Sequence, residues 1–103
     1  TLRYVAPDPD AVLAFAPQER IAAVMSFSQT TNPEGETDML QTTEKLIDAV
    51  AGIGGAFYLP YRLHARRDQV RACYKNADAF AEAKRKHDPG LLFRHAMWDA
   101  YFA

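Results

Sequence analysis

Gly54-Gly55-Ala56-Phe57-Tyr58-Leu59-Pro60-Tyr61-Arg62-Leu63-His64 is the stretch on which the fold of the chain turns. Two glycines close a long amphipathic segment, and the residues after them alternate. In a strand, Phe57, Leu59, Tyr61 and Leu63 would point to one side, and Tyr58, Pro60, Arg62 and His64 to the other. The first side is apolar enough to rest on a core. The second sets a phenol, a guanidinium and an imidazole in a row. Pro60 has no amide hydrogen for a ladder, so the spacing predicts an edge strand or one that ends in a bulge. Such a face could line a cleft or be an ordinary solvated surface, and spacing alone leaves both open.

Upstream of the glycines, Met39, Leu40, Thr43, Leu46, Ile47, Val50 and Ala51 share one face of a helix predicted from about Asp38 to Gly52. Asp38 is placed to cap its free amides, with Gln41 completing a capping box. Gly52, Gly54 and Gly55 supply a left-handed stop. Gln29 to Glu36, around Asn32-Pro33-Glu34-Gly35, reads as a polar loop. Leu2 to Val5 reads as a strand, with Leu2 and Tyr4 on one side and Arg3 and Val5 on the other. Pro7-Asp8-Pro9-Asp10 forces a turn. Ala11 to Ala16 fits a buried strand or one short helical stretch, and its shortness between prolines favours the strand. Arg20 to Ser28, rich in Ile, Val and Phe, is a second strand.

Downstream, Ala65 to Tyr74 reads as a short helix with Val70, Cys73 and Tyr74 inward. Asn76 caps a further helix, Ala77 to His87, expected to bury Phe80, Ala83 and Ala79 until Asp88-Pro89-Gly90 ends it. The tail contains Leu91, Leu92, Phe93, Trp98, Tyr101 and Phe102. It is too apolar for a free end and is expected to pack back on the sheet or to cover a neighbour. The predicted fold is therefore α+β, with residues 1–103 as one domain. Its small antiparallel sheet comprises Leu2–Val5, Arg20–Ser28 and Phe57–Leu63, with helices packed on one face.

Composition narrows the function classes. A chain of 103 residues allows one modest domain, not a cofactor domain and a substrate domain together. A formal net charge of −1 gives no basic field for nucleic acid. The one cysteine, Cys73, excludes an internal disulfide and suits a reducing compartment, so a cytoplasmic location is expected. No apolar run is long enough to span a bilayer and no signal-peptide pattern is present. The opening on Thr1, without methionine, is what a processed or truncated piece would show.

The chemistry-bearing side chains are few. Lys84-Arg85-Lys86-His87 could be a phosphate patch, but it also fills a last helical turn, where cations answer the macrodipole. His64, His87 and His95 lack metal-site spacing and a cysteine or carboxylate pair, so no metal site is expected. Cys73 lies on the apolar side of its helix, as a core residue does. Gly52-Ile53-Gly54-Gly55 comes after a helix instead of opening one, so it is a cap and not a nucleotide cradle. Arg3, Tyr58, Arg62 and His64 remain as the poised groups.

Three quoted stretches carry a resemblance: Leu46-Ile47-Asp48-Ala49-Val50 closing in Gly54-Gly55, Tyr58 to His64, and Phe80 to Phe93 with its Lys-Arg-Lys-His-Asp-Pro segment. Together they resemble the C-terminal region of FAD-linked oxidases of the vanillyl-alcohol oxidase type, which include sugar-lactone and alditol oxidases. The likeness covers most of residues 40–99. It implies the substrate-side part of a larger oxidoreductase. Such an enzyme oxidises a small hydroxylated or lactone-type substrate by hydride transfer to FAD, and the cofactor sits in a preceding N-terminal domain of the same protein. On that reading these 103 residues neither hold FAD nor act alone, and a homodimer is one way to hide their apolar surface.

The resemblance also implies roles. Arg3 stands where the family has a substrate-facing arginine, and Arg62 replaces a lysine on the later strand. Tyr58 and His64 would then line the substrate wall. Thr1 stands where that branch has a carboxylate, and the His-Trp pair before its lysine is missing, so what carries over is flavin-dependent oxidation as a class. A guanidinium near the developing negative charge would act electrostatically, since arginine stays charged and cannot serve as the base. Two other classes compete. One is a non-catalytic α+β binding module. The other is a nucleic-acid module, which would call for an aromatic pair on one strand that the chain does not have.

Overall fold

The computed structural model describes every residue from Thr1 to Ala103 and is α+β, a two-stranded antiparallel ribbon with four helices after it. The ribbon pairs β1 (Leu2–Val5) with β2 (Arg20–Ala23), placing Leu2 opposite Ala23, Arg3 opposite Ala22, Tyr4 opposite Ile21 and Val5 opposite Arg20. Thr1 and Val24 extend the ladder by exchanging hydrogen bonds of 3.0 and 2.7 Å. Beyond that pair no strand lies opposite, so the expected strand through Ser28 stops early and Met25 and Phe27 are exposed. Alternation puts Leu2, Tyr4, Ile21 and Ala23 on one face and Arg3, Val5, Arg20 and Ala22 on the other. The apolar face is the outer one. Leu2 is 74% and Ile21 67% exposed, whereas Val5, Arg20 and Ala22 are half-buried. Ala11 to Ala16 forms turns, neither strand nor helix, started by Asp8, whose Oδ1 accepts from the amides of Asp10 and Ala11.

Helix α1 runs Pro33–Gly52, starting well before Asp38. Asn32 is its cap, accepting from the Gly35 amide at 2.7 Å, with Pro33 in the first turn and Glu34 and Glu36 facing the positive end of the dipole. Position 35 must be glycine: a Cβ there would lie 2.1 Å from the Thr30 carbonyl oxygen. The expected stop is present. Gly54 takes φ +73° and the Gly55 amide bonds back to the Val50 carbonyl at 2.8 Å.

The stretch from Phe57 to Leu63 is not a strand. It alternates only as far as Leu59, which is buried, and then turns at Leu59-Pro60-Tyr61. Past Pro60 the sides exchange: Tyr61 is 81% exposed and His64 only 6%. A proline that cannot join a ladder, with no strand beside it, leaves a turn as the local solution. Phe57 meets Tyr74 edge-on at 5.9 Å, and the Tyr74 hydroxyl donates to the Phe57 carbonyl, so this segment is held to a helix and not to the sheet.

Helix α2 (Arg67–Cys73) is the hub on which α1, α3 (Ala77–His87) and α4 (Ala96–Tyr101) all pack. Helix α1 thus rests on α2 instead of the ribbon. The buried Gln69 side chain makes that joint, donating to the Glu44 carbonyl at 2.9 Å and to Asp48 at 2.7 Å, while Arg66 pairs with Asp48 and Asp68. These bonds hold the Asp48 and Asp68 carboxyls below their usual range and raise the Arg66 guanidinium. The core comprises Leu59, Val70, Tyr74, Ala77, Ala81, Trp98, Tyr101 and Phe102. Val70 and Tyr74 point inward as expected, while α3 buries Ala77 and Ala81 and leaves Ala79 and Ala83 outside. The tail is split: Trp98, Tyr101 and Phe102 are core, Leu91 is half-buried, and Leu92 and Phe93 are 82% and 77% exposed. Arg67 fastens this end through main-chain carbonyls, reaching Asp99, Ala100 and Ala103 at 3.0, 2.9 and 2.6 Å.

The body is open. Only 12 of 103 residues are buried, and the radius of gyration is 14.8 Å, where a compact chain of this length has about 13 Å. No helix is long and apolar enough to cross a membrane.

Candidate functional site

Four side chains were expected to converge, and the structure brings two of them together. Arg62 and His64, both past the Pro60 turn, meet on Glu36 in the first turn of α1. Arg62 Nη2 donates to Glu36 Oε2 at 2.5 Å, and His64 Nε2 lies 2.7 Å from Oε1. Gln29 completes the cluster, donating to Glu36 Oε2 at 3.0 Å and facing Arg62 Nη1 at 3.4 Å. Arg62, whose alternating face reads as a cleft lining or a solvated surface, instead has a carboxylate partner in Glu36. The adjoining hollow, of about 510 Å³, is lined by Pro60, Tyr61, Leu63, His95, Ala96 and Met97.

The imidazole is fully engaged. An ionised carboxylate only accepts, so Nε2 carries a hydrogen and donates to Glu36. The Thr43 hydroxyl donates to the Met39 carbonyl at 2.8 Å, and its oxygen lies 3.3 Å from Nδ1. Both ring nitrogens face protein atoms of α1, Glu36 on one side and Thr43 on the other. His64 therefore orients Glu36, which in turn orients Arg62. Glu36 and Thr43 are seven residues apart on one face of α1, so the helix itself sets the spacing that grips the ring.

Hydrogen bonds from Gln29, Arg62 and His64 lower the Glu36 carboxyl from its ordinary 4.5 to about 2. A carboxyl depressed on folding stabilises the native state above its unfolded pKa, and that contribution is lost as pH falls from about 4.5 towards 2. Asp48, Asp68 and Asp88 are also depressed, so acid destabilisation has several sources. We expect Glu36→Gln to make the melting temperature less dependent on pH across that window than in the wild type. Parallel profiles for the two proteins would show that Glu36 is not coupled to folding.

Tyr58 and Arg3 lie elsewhere. Tyr58 is half-exposed in an aromatic trio, edge-on to Phe15 at 5.8 Å and to Tyr61 at 4.8 Å. Arg3 is exposed on the ribbon, on the same face as Arg20, and engages no carboxylate. Sequence reasoning missed Glu36, Gln29 and Thr43. The signal for Glu36 was present: Asn32-Pro33 with two acidic residues close behind is a helix start, which places Glu36 in the first turn.

Gly52, Gly54 and Gly55 close α1, and the amides that open it face Asn32 beside the acidic Glu34 and Glu36. The chain matches no protein-family model, no curated protein and no solved structure.

Proposed function

We propose that this chain is the C-terminal, substrate-side part of an FAD-linked oxidoreductase acting on a small hydroxylated or lactone-type substrate. The observation that carries the reading is where the resembling stretches lie. Tyr58 and Tyr61 from one, and Leu92 and Phe93 from another, stand exposed on a body with few buried residues. Exposed large apolar side chains of this kind are what a covering domain would bury. In this reading the cover is the flavin-binding domain of the same protein. FAD, held by that domain, accepts the hydride. Arg62 and Arg3 supply fixed positive charge on the substrate side, Tyr58 contributes to the substrate wall, and His64 steadies Arg62 through Glu36.

A second reading, a non-catalytic binding module, is favoured by one fact: Arg62 and His64 already satisfy Glu36. The two readings part on flavin content. The 103 residues alone are expected to bind FAD weakly or not at all. The native polypeptide that contains them is expected to purify with one FAD per chain, seen in its visible absorbance. A flavin-free native polypeptide that takes up no added FAD would leave the binding-module reading standing.

A further inference from the structure

The chain has eight arginines, and six are engaged. Arg62, Arg66, Arg71 and Arg94 pair with carboxylates, and Arg67 and Arg85 donate to main-chain carbonyls. The remaining two, Arg3 and Arg20, lie on the same inner face of the β1–β2 ribbon. Arg20 is half-buried, and its Nε is sealed from solvent with no acceptor in reach. A ligand cannot reach that nitrogen, but the Nη nitrogens of the same guanidinium make no hydrogen bond and are not sealed, so an outside acceptor would meet the charge there.

The register places the pair closely. Arg3 lies opposite Ala22 and Arg20 opposite Val5, so the two arginines are diagonal neighbours, about 7–8 Å apart at the backbone and within reach of long side chains. Nearby carboxylates turn elsewhere. Glu19 accepts from the Tyr4 hydroxyl on the opposite face, and Asp8 holds its own turn. At the end of α2, burial pushes the acid groups of Cys73 and Tyr74 up, so both stay protonated. Neither can supply a negative oxygen at neutral pH.

We propose that the inner face of the ribbon is an oxyanion site in which Arg3 and Arg20 grip one carboxylate or phosphate group of a small ligand. A guanidinium fork matches both groups, and two forks on one face surround an anion where a single surface arginine would not. The site draws on neither Arg62 nor Glu36, and its ligand needs no flavin, so it stands or falls apart from the oxidoreductase reading.

The test is nitrogen-detected NMR of the arginine Nε–Hε groups, with inorganic phosphate and succinate added separately at constant ionic strength. The Arg3 and Arg20 signals are expected to shift together and to saturate with at least one probe. Saturation by phosphate alone assigns a phosphate ligand, by succinate alone a carboxylate, and by both the shared chemistry. Arg3→Gln, at an exposed position, is expected to weaken binding by about tenfold to a hundredfold, the effect of one charge-assisted contact. Arg20→Lys keeps the charge and loses the fork, and is expected to weaken binding as well. Shifts that rise linearly without saturation, or an Arg3→Gln protein that binds as the wild type does, would overturn the proposal.

Discussion

Trp98→Ala is expected to bring the domain to the edge of unfolding at room temperature. Trp98 is buried in α4, its ring stacked on Phe102 at 6.0 Å, close to Phe80 at 6.4 Å, and covered by the Arg85 guanidinium at 5.5 Å. Truncating a buried tryptophan costs about 3–5 kcal/mol, against a typical total stability of about 5–15 kcal/mol. With so few buried residues, little else remains to close the cavity. Urea unfolding monitored by near-ultraviolet circular dichroism gives the measurement. Trp98→Phe, which keeps an aromatic ring against Phe102, should lose much less. An unchanged midpoint in the alanine variant would mean that the eight-residue core is not what holds the fold.

The second large effect concerns Arg62. On the proposed oxidoreductase reading, Arg62→Ala in the native polypeptide is expected to slow flavin reduction by about 10- to 1000-fold, the usual range for one lost electrostatic contact. Anaerobic stopped-flow bleaching measures it. Because Arg62 is bonded to Glu36, a loss of rate could come from a loosened cluster instead of a lost charge. Glu36→Gln separates the two. That variant frees Arg62 from its ionic partner while the guanidinium remains, so its reduction rate should fall by much less than that of Arg62→Ala. Equal losses in both variants would make Arg62 a structural residue.

What was legible in the sequence came from local rules. The α1 stop, the α3 limits and the inward Val70 and Tyr74 were readable because glycine φ preferences and 3.6-residue periodicity act within a turn or two of helix. The stretch Phe57–Leu63 misled because alternation is a necessary mark of a strand and not a sufficient one. A ladder needs a neighbour, and none lies beside it. The partner of Arg62 and His64 was hidden for a related reason: Glu36 is 26 and 28 residues away in sequence, inside a segment read as loop. Asn32 overrode that reading by capping a helix that Pro33 pre-organises. The ribbon's faces obey alternation, yet which face looks inward is set by tertiary placement, which no pattern in four residues encodes.

The Arg67 clasp has a consequence for variation. It recognises the final helix through the carbonyls of Asp99, Ala100 and Ala103, and every amino acid presents the same carbonyl. Side chains at these three positions can therefore be exchanged without loosening the clasp, whereas inserting or deleting one residue in α4 ahead of Asp99 would rotate the carbonyls by about 100°, the angle of one helical step. Related chains should be freer at these three positions than at the core residues Trp98, Tyr101 and Phe102 among them, and should hold the segment's length fixed.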